Sequence, residues 1–129
     1  MKFSTRAGYG LRAMVNLAKN YPQQKNLQEI SQKEGISLKY LEQLFRALKK
    51  NKLVLSQKGR EGGYVLAKNP KIIKVGEIIE ILDGPIMPME CASGKCDVKC
   101  SCASSVVWIK LQEQIKKTLY GIKLIDLIK

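Results

Sequence analysis

The stretch from Asn26 to Leu66 constrains the fold of this chain more than any other. Asn26 is placed to cap a short helix that ends at Gly35, and Ser37 is placed to cap the helix that follows. That second helix carries an apolar stripe at helical spacing, made of Leu41, Leu44, Phe45 and Leu48. The pattern predicts two helices that meet at a glycine turn, the second of which buries one face.

The opposite face of the second helix is polar and mostly basic. Its residues follow one another at steps of four, three and four: Lys39, Gln43, Arg46 and Lys50. A recognition helix must bury one side and offer hydrogen-bond donors to phosphates and base edges with the other. This helix meets both conditions, so the sequence predicts a helix-turn-helix.

A glycine-rich turn follows this pair of helices. The apolar run Leu53–Leu55, the segment K-G-R-E-G-G and the run Tyr64–Leu66 indicate two strands joined by a basic tip. Lys58 and Arg60 supply the charge of that tip, which suits the phosphates or the minor groove beside a recognition helix. An ordinary exposed turn is the alternative. The predicted fold class is mainly α with a small β-wing, a winged helix-turn-helix.

Three further helices complete the predicted architecture. Residues 5–20 fit a first helix, and residues 75–82 fit a short amphipathic helix that Asp83, Gly84 and Pro85 end. A long helix near the C-terminus carries a single apolar stripe, made of Trp108, Leu111, Ile115, Leu119 and Ile122. We expect residues 124–128 to fold back onto the rest.

The net charge of +12 is confined to one half of the chain. Residues 1–74 hold 16 lysines and arginines and 4 acidic residues, whereas residues 75–129 hold 7 of each. A basic surface kept for solubility is the alternative, but this confinement favours a polyanionic partner, double-stranded DNA. We expect residues 1–74 to form the DNA-binding region and residues 75–129 to hold the long helix and, before it, the loop with the cysteines described next, as one compact domain with an extension.

All the cysteines of the chain lie in one short segment, at Cys91, Cys96, Cys100 and Cys102, and the chain has no histidine. Clustered thiolates are ligands for zinc or an iron-sulfur cluster. Without histidine, His-dependent catalytic triads are excluded, and no acid-base pair stands out, so we do not expect an enzyme. The charges in the first twenty residues argue against a secretion signal, and no run reaches membrane-spanning length, so we expect a cytoplasmic protein without a membrane partner.

Several motifs resemble one family of regulators. They are the opening Y-G-L-R-A-M, the run G-I-S-L-K-Y-L-E-Q-L-F, the wing G-R-E-G-G-Y, V-G-E-I-I, and the cysteine loop ending in Trp108. Over nearly its whole length the chain resembles the Rrf2 family of bacterial winged-helix regulators. The resemblance implies base contacts by residues of the recognition helix, and a long helix that pairs with its mate in a homodimer. The candidate DNA-binding residues are Lys39, Tyr40, Glu42, Gln43, Arg46, Lys58 and Arg60.

The resemblance also implies a cluster site. In cluster-binding members three cysteines precede a tryptophan, which assigns the ligand role here to Cys91, Cys96 and Cys102. The fourth ligand of some members is a histidine, where this chain has Ser105; in others it is an acidic residue of the partner's first helix, where this chain has Gly8. Cys100 is additional to the family pattern, so an all-cysteine shell is our leading hypothesis. Its alternative is a water, serine or small-molecule thiol in the fourth place.

These features predict a DNA-binding transcriptional regulator, acting as a repressor or an activator. It would sense iron-sulfur cluster status, redox state or nitric oxide through a cysteine-ligated cluster and change its operator affinity accordingly. A 2Fe-2S cluster is preferred by resemblance, with 4Fe-4S as the alternative nuclearity and zinc as the alternative metal. A metal-free thiol switch and a small iron-sulfur electron carrier are the other functions considered.

Overall fold

A computed structural model describes residues 2–59, 62–89 and 103–128. Its helices are α1 (Thr5–Lys19), α2 (Leu27–Glu34), α3 (Leu38–Lys50), α4 (Val75–Asp83) and α5 (Ser105–Tyr120). Its strands are β1 (Val54–Gln57) and β2 (Gly63–Leu66), and a 3-10 helix, Leu124–Leu127, follows α5. The prediction of a mainly helical fold with a two-stranded wing is confirmed.

Side-chain caps fix the turn between α2 and α3. The Asn26 side chain accepts a hydrogen bond from the backbone N–H of Glu29 at 2.8 Å, and the Ser37 hydroxyl accepts one from Tyr40 at 3.1 Å. Gly35 ends α2 with φ of +68°, a left-handed conformation that glycine adopts without steric cost. Both predicted caps and the predicted glycine stop are therefore confirmed.

The predicted stripe of α3 forms the centre of the core. Leu41, Leu44, Phe45 and Leu48 are all fully buried, together with Met14 and Leu17 of α1 and Ile78 of α4. Burying a side chain of this size contributes about 1.5–3 kcal/mol. On helix α1, Ala13 and Leu17 are fully buried, whereas Leu11 and Val15 are half-buried.

A polar cluster joins α1 to the end of α2. The Arg12 guanidinium donates to the backbone oxygen of Glu34 at 2.6 Å and forms an ion pair with its carboxylate at 3.4 Å. The buried amide of Asn16 donates to the same carboxylate at 3.0 Å. A cation at the C-terminus of a helix is favoured by the helix dipole, so this cluster holds α1 across the turn that leads into α3.

The two strands form an antiparallel ladder. The register runs from Val54 opposite Leu66 to Gln57 opposite Gly63. Strand β1 begins at Val54, one residue later than the sequence predicted. Leu55 is 52% exposed, because alternate residues of a strand point to opposite faces. The wing therefore contributes Val54 and Leu66 to the core, while on its other face Leu55 is exposed and its cross-strand partner Val65 is buried.

Helix α5 has no buried residue, although its sequence carries the predicted apolar stripe. The segment after it folds back as expected: the N–H of Leu124 donates to the backbone oxygen of Ile73 at 2.8 Å, and the Leu124 side chain is fully buried. In the part of the chain that the structure describes, every helix is too short or too polar to span a bilayer.

Candidate nucleic-acid interface

A groove of about 570 Å³ lies between α3 and the wing. It is lined by Leu27, Gln28, Leu38, Glu42, Arg46, Lys49, Ser56, Gln57, Gly62, Gly63 and Tyr64. These residues come from the N-terminal turn of α2, from α3, from both strands and, with Gly62, from the turn between the strands. One surface thus combines the three parts that a winged helix places on DNA.

The candidate residues of α3 other than Tyr40 are exposed, and only some of them line the groove. Glu42 and Arg46 lie in the groove, while Lys39 and Gln43 are exposed on α3 outside its lining. An arginine can make two hydrogen bonds to guanine or to phosphate, a glutamine can pair with adenine, and a glutamate can accept from the cytosine amino group. The outer surface of α3 therefore carries donors and acceptors suited to base edges.

Tyr40 is held differently from its neighbours. Its ring packs edge-on against Tyr9 of α1, with centroids 5.8 Å apart and an angle of 83° between the planes, and it is half-buried. The Arg12 guanidinium lies 5.6 Å from the Tyr9 ring centroid. Tyr40 consequently also links α3 to α1, a packing role that its sequence position does not reveal.

Two contacts of Tyr64 hold the wing against the rest of the fold. The backbones of Lys25 and Tyr64 exchange hydrogen bonds of 2.9 Å, and a Cβ on Gly63 would lie 2.4 Å from the backbone oxygen of Lys25. The Tyr64 ring packs edge-on against Phe45 of α3 at 5.0 Å. Any larger residue at position 63 would push the wing away from the segment that leads into α2, so the close approach of the two backbones requires glycine here.

Known proteins with similar sequences identify the family of this chain. A family profile described as "Iron-dependent Transcriptional regulator", the Rrf2 family, matches residues 3–129. The chain belongs to the Rrf2 family. A transcriptional regulator named CymR from Bacillus subtilis is 38% identical over 128 residues, which cover 98% of this chain and 89% of that protein. A regulator named IscR from Klebsiella pneumoniae is 37% identical over 130 residues, covering 99% and 80% of the two chains.

The structural comparison agrees with the sequence comparison. The solved structure of CymR, described as the global cysteine regulator of B. subtilis, superposes with a TM-score of 0.85 and 37% identity, covering 98% of this chain and 95% of that one. The predicted family, winged-helix fold and non-enzymatic role are confirmed. This Rrf2 protein is a transcriptional regulator, and the groove beside α3 is its candidate DNA-reading surface.

Sequence reasoning missed several residues of this Rrf2 groove. They are Gln28, Lys49, Ser56 and Gln57. Lys49 could have been found from spacing, since it follows Arg46 by three positions and Glu42 by seven and so shares their helix face. The contribution of Gln28 depends on how α2 packs beside the wing, which local spacing does not encode.

Lys58, Arg60 and the cysteines are the remaining predicted site residues of the Rrf2 protein. Lys58 is exposed at the wing tip, whereas Arg60 and the four cysteines, Cys91, Cys96, Cys100 and Cys102, fall outside the described residues. Among the residues that are described, no group of three or more acidic or sulfur ligands could hold a metal. The cysteine segment is the remaining candidate, and its thiolate donor set fits iron-sulfur clusters and zinc alike.

Proposed function

We propose that this Rrf2 regulator is a homodimer that binds an operator through the groove beside α3, with residues 1–74 reading DNA and residues 75–129 pairing the subunits and sensing a signal. The observation that carries the proposal is the groove itself. It joins Arg46 and Lys49 of α3 to both wing strands, and it lies in the half of the chain that holds the whole net charge.

The pairing of two copies is supported by exposed apolar residues of α5. Val106, Val107, Ile109 and Leu111 are 39–57% exposed, and an exposed apolar patch is typical of a protein–protein contact. Two copies joined through this helix about a two-fold axis would bury part of that surface. The same axis would place two recognition helices about 34 Å apart, one turn of DNA.

The proposed sensor is the cysteine segment between α4 and α5. Cys91, Cys96, Cys100 and Cys102 would hold an iron-sulfur cluster, preferably 2Fe-2S, and the family description as iron-dependent supports an iron-linked signal. When bound, such a cluster would link the thiolates that coordinate it, and that link would respond to redox state, iron supply or nitric oxide. Gly8 offers no side-chain ligand, which favours Cys100 as the fourth.

Purification without air, followed by visible absorption and by iron and sulfide analysis, tests the cluster. We expect a coloured protein with iron and sulfide in equal amounts, because both cluster types contain them in that ratio. A colourless protein with stoichiometric zinc would replace the cluster by a zinc site.

A second candidate function is a thiol switch without a metal. It is favoured by one observation, that a relative with a TM-score of 0.85 is described as a global cysteine regulator. In that case oxidation of the clustered thiols would change operator affinity directly. Absence of both iron and zinc from active, operator-binding protein would favour this alternative.

Arg46→Ala tests the proposed reading surface. We expect operator affinity to fall about 5- to 150-fold, because a bidentate arginine contact contributes about 1–3 kcal/mol, while the exposed position leaves the melting temperature nearly unchanged. Fluorescence anisotropy with a duplex selected by the wild type would measure the effect. The control Lys71→Ala removes one exposed charge outside the groove lining and should change affinity little. Equal effects of the two variants would contradict the assignment.

A further inference from the structure

Helix α5 is attached to the winged helix near its C-terminal end. Towards the N-terminal end of α5, Val106 and Val107 are 50% and 57% exposed, whereas Leu119 packs against the small cluster of Ala7, Val75 and Ile79. The helix has 16 residues and is therefore about 24 Å long. In the part of the chain that the structure describes, its apolar packing on α4 lies at this end, so α5 forms a lever about it.

The ring of Tyr120, the last residue of α5, lies directly on α4. A Cβ on Gly76 would be 2.3, 2.4 and 2.8 Å from three atoms of that ring, so the ring occupies the space that any other residue would fill. The Tyr120 hydroxyl donates to the Glu80 carboxylate at 3.0 Å, one helical turn further along α4. Burial and this hydrogen bond raise the pKa of Tyr120 to about 12, so the hydroxyl keeps its proton and donates at neutral pH.

The chain that follows Tyr120 adds a third attachment at the same end of α4. The N–H of Val75 donates to the backbone oxygen of Ile122 at 2.9 Å, and Leu124 pairs with Ile73 at 2.8 Å. Ring, hydroxyl and backbone together fix both the position and the rotation of the end of α5. We call the contacts of Tyr120 with Gly76 and Glu80 the α4–α5 joint.

Helix α4 connects this joint rigidly to the DNA-reading part. Ile78 and Leu82 are buried in the same core as Leu44 and Phe45 of α3. A Cβ on Gly10 would lie 2.0 Å from the Leu82 side chain, which shows how closely α1 and α4 approach. A close-packed core resists deformation. The angle between α5 and α3 can therefore change only if the contacts of the joint change.

We propose that Tyr120 is a positioning residue for operator reading, because its contacts with Gly76 and Glu80 set the angle between α5 and the winged helix and thereby the half-site spacing that the dimer accepts. The inference rests on the proposed pairing through α5. A lever of about 24 Å moves its far end by about 4 Å for a rotation of about 10°. That displacement is close to the rise of one base pair, about 3.4 Å.

The test uses the full-length protein and a family of duplexes. An operator selected by the wild type is rebuilt with its half-sites one or two base pairs closer or further apart, and affinity is measured for each. Tyr120→Phe keeps the ring on Gly76 but removes the hydrogen bond to Glu80. We expect the preference for the best spacing over its neighbours to fall about three- to tenfold, as loss of one partly buried hydrogen bond allows. Gly76→Ala should displace the ring and shift the best spacing.

Two variants of Glu80 separate positioning from general stability. Glu80→Gln keeps an acceptor for the hydroxyl and should retain the wild-type spacing preference, whereas Glu80→Leu should behave like Tyr120→Phe. Should Gly76→Ala fail to fold, the other three variants still show whether the joint sets the spacing preference. If all of them keep the wild-type preference while the wild type binds its operator as a dimer, the joint has no positioning role. A wild type that selects no duplex would overturn the proposed function, and this inference with it.

Discussion

Phe45→Ala should lower the free energy of unfolding by about 3–5 kcal/mol, the range for removing a fully buried aromatic ring. Phe45 is fully buried in the centre of the core, and its ring also supports Tyr64 of the wing at 5.0 Å. The substitution therefore opens a cavity and removes the contact that seats the wing. Total stabilities of small domains are about 5–15 kcal/mol, so this loss is a large part of the whole. Urea denaturation followed by circular dichroism measures it.

The matched control is on the same helix. Gln43 is exposed, so Gln43→Ala should change the free energy of unfolding by less than about 0.5 kcal/mol. Because Gln43 lies on the exposed face of α3 and is a candidate for a base contact, the same variant should weaken operator binding. A Phe45 variant as stable as the wild type, or a Gln43 variant as unstable as the Phe45 variant, would contradict the assigned faces of α3.

Cys96→Ala should abolish the response of operator binding to the proposed signal. Allosteric coupling between two sites is typically about 1–3 kcal/mol, so the wild type should bind its operator about 5- to 150-fold differently with and without the cluster. The variant should show a single affinity under both conditions and the same circular dichroism spectrum as the wild type. Operator titrations under anaerobic and oxidising conditions measure both values.

Substitutions within the same segment refine this result. Val98→Ala is the control, since it leaves every thiolate and every serine of the segment in place. Cys100→Ala should reproduce the loss seen with Cys96→Ala if Cys100 is the fourth ligand, and should retain the response if water, serine or a small thiol takes that place. An unchanged, full response in Cys96→Ala would refute the cysteine sensor.

The spacing of apolar and capping residues along the sequence predicted the buried face of α3 and the helix ends well. The stripe from Leu41 to Leu48, the caps Asn26 and Ser37 and the stop at Gly35 depend on interactions within one or two turns, so a local pattern contains them. The outer surface was predicted in part. Arg46 and Glu42 line the groove, whereas Gln28 does so only because α2 packs beside the wing, a contact between elements that no helical period describes.

By itself, the sequence determined the order of the helices, the buried face of α3, the wing and the half of the chain that carries the charge. Only the tertiary structure decided which distant residues meet: Tyr9 with Tyr40, Tyr64 with Phe45, and Tyr120 with Gly76. The physical reason is how far apart along the chain the interacting residues lie. Helix caps and stripes are set by neighbours along the chain, whereas ring packing and close backbone approach depend on the final positions of whole elements.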